Sequence, residues 1–316
     1  RFRPDLVVYI GGHIVSKKLK SYLRSLKGIE QIRISQEADI EDTFMHLTKV
    51  MDLPNSDAMS WLDNFGWHNQ WEDYRKLWMD ALAKSYERKE NFKPEFSSLA
   101  IVKEFFSQLQ KVEPQNFKAF TLGGKDAQDD GIYDRKFDTF LPGMMSSVFS
   151  GNSSAIRLMN LYADRHVYCN RGVNGIEGSL STAVGFSMCK NKSDKHVYCV
   201  LGDLSFFYDQ NALWNRNLNG KLRIIVLNNG GGAIFGKFQG LKESQAREEM
   251  IMAKHHATAE GICSQNEVKY LAAHTMEEME QGISQLIHAE SERPMLLEVF
   301  TDMDVDNEML EAIQKC

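Results

Sequence analysis

Short apolar runs alternate with amphipathic stretches along this chain, and that alternation restricts its fold more than any other feature. Short continuous apolar runs predict buried strands, whereas apolar residues spaced three and four apart predict helices. Strand, helix and strand in this order imply a parallel sheet, so we predict an α/β protein with two doubly wound parallel-sheet domains. The predicted strands are 6–11, 29–34, 196–201, 222–227, 268–272 and 295–300, and the predicted helices are 16–26, about 208–217, about 243–255 and 276–289.

A chain of 316 residues is long enough to form two domains. Pro94 favours the first turn of a helix, and the residues that follow it have an apolar face at helical spacing, so we place a boundary just before it. The first predicted domain is 1–92, which could be incomplete, and the second is 93–316. Residues 113–142 are irregular, which predicts an inserted segment or a lid in the second domain.

Two helical stretches have additional signals. Thr275 and Glu278 are spaced as a capping box at the start of a helix. Residues 59–89 form a long helical pattern with an aromatic stripe, and we predict that this stripe is buried in a core. Its members are Trp67, Trp71, Tyr74 and Trp78.

Composition excludes few functional classes, but it makes nucleic-acid and membrane partners less favoured than others. Apolar residues make up 43% and charged residues 25%, which is typical of a globular protein. The net charge of −6 argues against nucleic acid or an anionic membrane as the main partner, and no apolar run approaches the length of a membrane helix. Five cysteines without a CxxC pattern favour a reducing cytoplasm. The chain starts directly before an apolar run, and we expect it to be cut from a longer protein.

Polar residues follow two predicted strands that are consecutive in this part of the sequence. Gly202-Asp203 ends one strand and Asn228-Asn229 ends the next. Carboxyl ends of parallel strands meet at one edge of a sheet, where ligands bind. We expect Mg²⁺ to be held by the Asp203 carboxylate, the Asn229 amide oxygen and the Gly231 carbonyl, because Mg²⁺ prefers oxygen ligands and is completed by phosphate oxygens.

Glycines and helix amides complete this predicted diphosphate site. Gly202 allows a sharp turn, and the glycines at 230–232 allow the backbone to approach a phosphate closely. The amides of Leu204 and Ser205 begin the next helix and are expected to face an anion. Each element taken alone is a common turn or loop. Their combination at a spacing of one helix and one strand is what indicates a site.

The Gly-Asp and Asn-Asn pattern resembles the signature of thiamine diphosphate (ThDP) enzymes. Most of these enzymes have Gly-Asp-Gly, whereas this chain has Leu204 after the Asp. The variant Gly-Asp-Leu-Ser-Phe, with the segments 151–157, 170–178 and 231–235, is similar to the 2-succinyl-5-enolpyruvyl-6-hydroxy-3-cyclohexene-1-carboxylate synthase family (MenD) of menaquinone (vitamin K2) biosynthesis. The similarity is strongest between residues 151 and 235 and weak before Pro94.

The resemblance implies roles for particular side chains. Arg157 and Arg171 are expected to be catalytic and to hold substrate carboxylates, since guanidinium groups pair with carboxylates through two hydrogen bonds. Ile176 is expected to be the apolar wedge against ThDP. Lys17 and Lys18 match a basic pair that the family shows after the first strand. The second position is commonly Arg in the family, and Lys18 can offer the isochorismate carboxylate a point charge but not a bidentate guanidinium group. The implied substrate-binding residues are Lys17, Lys18, Ser153, Arg157, Arg171 and Phe235.

The resemblance also implies the reaction. Family members are transferases that use ThDP and Mg²⁺, with Mn²⁺ as an alternative, to join 2-oxoglutarate to isochorismate by a decarboxylating 1,4-addition. They have pyrimidine-binding, central and diphosphate-binding domains, and this chain resembles the last two. The ylide-forming glutamate belongs to the pyrimidine-binding domain, so we expect the chain alone to be inactive and the complete protein to be a homodimer or homotetramer. Alternatives are another ThDP-dependent 2-oxo acid decarboxylase of the acetolactate-synthase type, or a non-catalytic ThDP-fold binding module.

Three further patterns favour ordinary structural roles. Asp302, Asp304 and Asp306 resemble the start of a calcium loop, but the required Gly and Glu are missing, so we predict a turn and helix cap. His255-His256 has no third ligand at a zinc spacing, which predicts an exposed helix end. Gly11-Gly12 does not complete a dinucleotide-binding motif.

Overall fold

The computed structural model describes residues 1–11, 14, 16–36, 40–64, 71–113, 145–189, 195–237, 240 and 243–315. The chain forms two compact units, Arg1–Glu87 and Arg88–Cys316. The sequence places a domain boundary between residues 92 and 93. The assignment of central and diphosphate-binding domains to these regions stays a prediction. Apart from residue 113, the predicted insertion at 113–142 lies outside the described residues, as does Gly12.

The first unit contains a three-stranded parallel sheet in the order β1-β2-β3. One face of β2 is apolar, and its Ile32 and Ile34 pack near Ala58. Tyr9, Leu23 and Phe44 belong to a second small cluster. The elements of this region are β1 (Leu6–Ile10), α1 (Lys17–Ser25), β2 (Glu30–Ser35), β3 (Lys49–Asp52), α2 (Asn55–Asn64) and α3 (Glu72–Asn91).

The prediction that the aromatic stripe is buried in a core is wrong for the residues of the stripe that the structure describes. α3 has no buried residue, and Trp71 is 38% exposed. The stripe instead packs on the start of the chain: the rings of Phe2 and Trp78 are 4.9 Å apart edge to face, and the Tyr74 hydroxyl donates to the Phe2 carbonyl across 3.1 Å. Its aromatic residues therefore cover an N-terminal segment rather than filling a core. Trp67 lies outside the described residues.

The second unit is built on a six-stranded parallel sheet in the order β5-β4-β6-β7-β9-β8. This order confirms a doubly wound α/β fold, since the chain moves outward from β4 first in one direction and then in the other. The elements are α4 (Ser98–Val112), β4 (Ser147–Ser150), α5 (Ser154–Tyr162), β5 (Val167–Cys169), α6 (Ser179–Met188), β6 (Val197–Gly202), α7 (Asp203–Tyr208), β7 (Leu222–Asn228), α8 (Glu260–Gln265), β8 (Lys269–Ala273), α9 (Met276–His288), β9 (Met295–Phe300) and α10 (Met303–Lys315).

The central strands are apolar on both faces because helices cover both sides of the sheet. On β6, Val200 belongs to one apolar cluster and the next residue, Leu201, to another. On β7, Ile224 and Ile225 divide in the same way. Helices α4, α5 and α9 contribute to the first cluster, and α6 and α8 to the second. No described helix is long and apolar enough to cross a membrane.

Two predicted helices do not form as the sequence pattern indicates. The predicted helix at about 208–217 is wrong, because α7 ends at Tyr208 and only a 3₁₀ turn follows, at Gln210–Trp214. The reason lies in Asp209, whose buried carboxylate accepts hydrogen bonds from the amide (2.7 Å) and hydroxyl of Ser181. The predicted helix at 243–255 is reduced to a π-helical turn at Arg247–Ile251.

The predicted capping box at the start of α9 is confirmed. The amide of Glu278 donates to the Thr275 hydroxyl across 3.2 Å. The Glu278 carboxylate in turn accepts from the His274 amide at 2.7 Å. Two amides at this helix start are thereby satisfied by side chains.

Candidate diphosphate and substrate site

The polar residues singled out in the second unit converge on one edge of the six-stranded sheet. Gly202 on β6 pairs in register with Leu227 on β7, so the residues after both strands emerge at the same level. Ser150 at the end of β4 pairs with Val200. This edge lies at the carboxyl ends of the strands, and β4 and β6 flank the point where the strand order reverses. The fold therefore brings the predicted ligand-binding loops together.

Asp203 is a buried side chain among the predicted metal ligands. It is 3% exposed and begins α7. Its Oδ2 accepts a hydrogen bond from the Gly231 amide at 2.9 Å, and its Oδ1 accepts one from the Leu204 amide at 2.7 Å. The Leu204 amide, predicted to face an anion, is thus directed at the Asp203 carboxylate. Each carboxylate oxygen can accept two bonds, so capacity remains for a cation.

Asn229 presents its amide oxygen. Its Nδ2 donates to Asp306 Oδ2 across 2.7 Å, and among the described residues no donor contacts its Oδ1. Asp306 departs from the predicted turn and helix cap, because it lies inside α10 and its buried carboxylate bonds to Asn229. The helix cap is Asp302, whose Oδ1 accepts from the amides of Asp304 and Val305 at 2.8 and 3.1 Å.

The glycine loop after β7 lies directly against another backbone segment. Gly230 has φ +78° and Gly231 has φ +146°, values that side chains disfavour. A Cβ at Gly231 would lie 2.6 Å from the Met252 carbonyl oxygen, and the Gly232 amide donates to that oxygen at 2.6 Å. The loop thus offers bare backbone beside Asp203 and Asn229. A carboxylate, an amide oxygen and carbonyls are the donor set that fits Mg²⁺ bound to a diphosphate.

His255 is a member of this site that the sequence did not reveal. Its Nε2 lies 3.3 Å from Asp203 Oδ2, and its ring contacts Phe207 edge to face at 5.3 Å. Its Nδ1 accepts from the Ala257 amide at 3.1 Å, which favours a proton on Nε2. The Asp203 carboxylate beside it raises the pKa of His255, and burial opposes this. The predicted exposed helix end at this position is wrong.

The described residues contain no cluster of three His, Cys, Asp or Glu side chains that could hold a metal ion. The predicted Mg²⁺ site is of another kind, since it uses a single carboxylate and completes its shell with amide and carbonyl oxygens, and it stays a prediction.

Asn152 connects the two loops that follow β4 and β5, and it is not among the predicted site residues. It is 2% exposed. Its Nδ2 donates to the carbonyls of Asn170 (3.1 Å) and Gly175, and its Oδ1 accepts from Arg171 NH1 at 2.9 Å. The neighbouring Gly151 is required for space, because a Cβ there would lie 2.8 Å from that of Leu201.

Arg157 on α5 and Arg171 after β5 lie close enough to repel each other. The pKa of Arg157 is lowered by the partial burial of its side chain and, secondarily, by the charge of Arg171. Within the described part of the chain, neither guanidinium forms an ion pair with a carboxylate. Two cations without a carboxylate partner, one on α5 and one in the loop after β5, are suited to an anionic ligand.

Ser153 has a strained backbone at the turn from β4 into α5. Its φ is 66° and its ψ is −122°, and its hydroxyl makes no capping bond. Ile176 is half-buried in the loop after β5, and Phe235 is 38% exposed in a 3₁₀ turn at Ala233–Lys237. Lys17 and Lys18 are exposed at the start of α1 in the first unit, so their predicted contact with a substrate stays a prediction.

Comparison with known proteins gives this geometry a family context. Residues 150–299 match the family "Thiamine pyrophosphate enzyme, C-terminal TPP binding domain". The chain is 33% identical to the 2-succinyl-5-enolpyruvyl-6-hydroxy-3-cyclohexene-1-carboxylate synthase of Phocaeicola vulgatus, over 97% of the chain and 48% of the relative. The synthases of Bacteroides thetaiotaomicron and Christiangramia forsetii are also 33% identical, over 97% and 98% of the chain and 49% and 48% of the relative.

The chain therefore spans about half the length of the curated relatives that it matches. The match to the TPP-binding family extends from the last residue of β4 almost to the end of β9, and so includes Asp203, Asn229, Arg157 and Arg171. Part of the second unit is therefore similar to the thiamine pyrophosphate enzyme C-terminal domain family, and nearly the whole chain is similar to one half of 2-succinyl-5-enolpyruvyl-6-hydroxy-3-cyclohexene-1-carboxylate synthases.

Proposed function

We propose that this chain supplies the diphosphate- and Mg²⁺-binding part of a 2-succinyl-5-enolpyruvyl-6-hydroxy-3-cyclohexene-1-carboxylate synthase. The complete protein would join 2-oxoglutarate to isochorismate in a ThDP-dependent, decarboxylating 1,4-addition. The observation that carries the proposal is the convergence of Asp203, Asn229 and an arginine pair on one sheet edge, in a chain 33% identical to such synthases.

The metal and the diphosphate would be held by oxygen atoms and backbone amides. Asp203, the Asn229 amide oxygen and the Gly231 carbonyl would bind Mg²⁺, or Mn²⁺ in its place. Bound ThDP supplies the electron sink that a decarboxylation requires. Around it, Ile176 would provide apolar surface. Gly202, Leu204 and Ser205 would form the adjoining backbone at the start of α7.

The substrate carboxylates would be bound by the arginine pair. Arg157 and Arg171 repel each other as they stand, and an anion between them would relieve that repulsion while forming charge-assisted hydrogen bonds. Ser153 lies one turn before Arg157 and would add a hydroxyl, and Phe235 would add apolar surface. Lys17 and Lys18 would contribute point charges to isochorismate binding.

Other parts of the proposal concern the complete protein. The glutamate that activates ThDP would come from a pyrimidine-binding domain. Without that domain, this chain is expected to be inactive. We also propose a homo-oligomer in a reducing cytoplasm. The four described cysteines are free thiols, in agreement with that compartment.

Calorimetry of the full-length protein tests the metal site. The wild-type protein should bind ThDP only with Mg²⁺ present, and Asp203→Asn should abolish this binding. Asp304→Asn, the same chemical change on the exposed start of α10, is the matched control and should bind like the wild type. Undiminished binding by Asp203→Asn would overturn the assignment.

The reaction itself is tested with both substrates. Incubation with 2-oxoglutarate and isochorismate should consume the two in equal amounts and release one CO₂ for each. Consumption of the 2-oxo acid while isochorismate persists would instead indicate a decarboxylase of another class, and consumption of neither would indicate a binding module.

A further inference from the structure

Asp306 is a buried carboxylate that makes four hydrogen bonds at the edge of the proposed metal site. It is 9% exposed, and it lies in the first turn of α10. Its Oδ1 accepts from the Ser98 amide at 2.7 Å. Its Oδ2 accepts from the Ser98 hydroxyl at 2.7 Å, from Asn229 Nδ2 at 2.7 Å and from the Thr301 hydroxyl at 3.1 Å. Donors from three separate elements therefore meet on one side chain.

This arrangement determines which end of the Asn229 amide faces the metal. A carboxylate only accepts hydrogen bonds, so the amide must turn its NH₂ group toward Asp306. The two ends of an amide point in different directions, so the oxygen is directed away from Asp306. Because metal cations bind the oxygen and not the NH₂ group, the orientation of this amide decides whether Asn229 can be a ligand.

The same helix is also attached to the glycine loop. Asn307 Nδ2 donates to the Ala233 carbonyl across 3.1 Å. Two consecutive residues of α10 thus contact the segment after β7 at two points, one on the proposed ligand and one beyond the glycines. The Ser98 contact connects this assembly to the start of α4.

We infer that Asp306 is a positioning residue for the cofactor site, which holds the Asn229 amide so that its oxygen is presented to Mg²⁺. This inference rests on the proposed function, because it requires Asn229 to be a metal ligand. Groups that orient metal ligands from the second layer typically change metal affinity 10- to 100-fold when they are removed. Asp306 itself touches neither metal nor substrate.

Asp306→Asn in the full-length protein tests this role with little change of shape. If Oδ1 of the new side chain keeps the bond to the Ser98 amide, its NH₂ group faces Asn229. The Asn229 amide then reverses to offer its oxygen to that group and turns its own NH₂ toward the metal. We expect the Mg²⁺ concentration for half-maximal ThDP binding, measured by calorimetry at fixed ThDP, to rise roughly 10- to 100-fold.

Asp302→Asn is the matched control, since Asp302 caps the same helix without contacting Asn229. It should require the same Mg²⁺ concentration as the wild type. If the wild type and Asp302→Asn bind Mg²⁺ and ThDP while Asp306→Asn binds equally well, the inference about Asp306 is wrong and the proposed function survives. If the wild type itself fails to bind, the proposed function fails first.

A second pair of variants covers the case in which Asp306→Asn does not fold. Ser98→Ala removes one donor to Asp306 Oδ2, and Ser97→Ala removes the neighbouring helix cap, whose hydroxyl accepts from the Ala100 amide at 3.3 Å. Both should lower the thermal midpoint. Only Ser98→Ala should raise the required Mg²⁺ concentration, by roughly two- to fivefold, as a milder form of the second-layer effect. Equal Mg²⁺ requirements in the two variants would overturn the inference.

Discussion

Arg171 NH1 donates a hydrogen bond to Asn152 Oδ1 across 2.9 Å, and this bond joins the loop after β5 to the loop after β4. Asn152 uses its other end to bond two carbonyls of the same β5 loop. One buried amide thereby fixes both the loop and the direction of a guanidinium group. The remaining donors of Arg171 stay on a rigid support beside Arg157, which is the arrangement that preorganised anion binding requires.

Arg157→Gln tests the repulsion between the two arginines. The charge of Arg171 contributes to the lowered pKa of Arg157, so the neutral variant should be more stable by a few tenths of a kcal/mol without substrate, a small value because the side chain is exposed. Urea unfolding measures this gain. Turnover with 2-oxoglutarate and isochorismate should fall by 10-fold or more, since a hydrogen bond to a charged group contributes about 1.5–3 kcal/mol. ThDP binding should be unchanged, and its loss would show that Arg157 is misassigned.

Asn152→Asp replaces the connecting amide with a carboxylate of nearly the same shape. The new side chain keeps an acceptor for Arg171 but faces the Asn170 and Gly175 carbonyls without a donor. Two acceptors facing a buried carboxylate should cost about 2–4 kcal/mol of unfolding free energy. Chemical denaturation measures the loss. Asn160→Asp, on the exposed part of α5, is the control and should change stability by less than about 0.5 kcal/mol.

The fold could be predicted because periodicity in the long central elements is strong. The predicted strand at 222–227 corresponds to β7 (Leu222–Asn228), whose residues are all buried, and the predicted strand at 295–300 coincides with β9. β4 and β5 were missed, since four and three residues are too few to establish a period. The predicted helix at about 208–217 did not form because Asp209 makes a tertiary contact, which no local pattern contains.

The site residues that directly follow predicted strands could be predicted from the sequence, and the site residues from other segments could not. Asp203 and Asn229 follow consecutive strands, so the parallel sheet alone brings them to one edge. His255 and Asp306 reach the same place from loops and a helix far along the chain. Their side chains look ordinary in the sequence, as a His pair and an acidic run. Only the packing of the segments after β7 and β9 reveals what they contact.

Ser153→Gly tests the strained turn before α5. A non-glycine residue with φ 66° and ψ −122° costs on the order of 1–3 kcal/mol, and glycine adopts such angles without strain. The variant should therefore unfold at a temperature a few degrees higher than the wild type. If the strain serves to present the hydroxyl to a substrate, KM for 2-oxoglutarate or isochorismate should rise at the same time. An unchanged or lower melting temperature would contradict the strain argument.

His196 predicts a pH dependence at the opposite edge of the sheet. Its Nε2 accepts from Arg223 NH2 at 3.2 Å, and burial, followed by the charge of Arg223, lowers its pKa to about 4. Below about pH 6.5, His196 is protonated in the unfolded chain but stays neutral in the folded protein until the pH approaches 4. The free energy of unfolding should therefore fall as the pH falls from about 6.5 to about 4. Between pH 7 and 5, His196→Gln should lose about 1 kcal/mol less than the wild type, after allowance for partial exposure. Parallel stability profiles for the two proteins in urea would contradict this.

Gly231→Ala tests the close backbone approach on which the proposed diphosphate site depends. The added methyl group would lie 2.6 Å from the Met252 carbonyl oxygen, and φ at this position is +146°, so both the contact and the backbone oppose it. The loop must move, and we expect a loss of about 2–4 kcal/mol in unfolding free energy. Because the Gly231 amide donates to Asp203 Oδ2, the displacement should also weaken Mg²⁺-dependent ThDP binding by more than 10-fold, even at temperatures where the variant is folded.

Gly261→Ala is the control: it lies in α8 with open space around the added methyl group and should be neutral or slightly stabilising by about 0.5–1 kcal/mol. A Gly231→Ala protein that is less stable but binds ThDP and Mg²⁺ normally would show that the glycine loop supports the fold and not the cofactor.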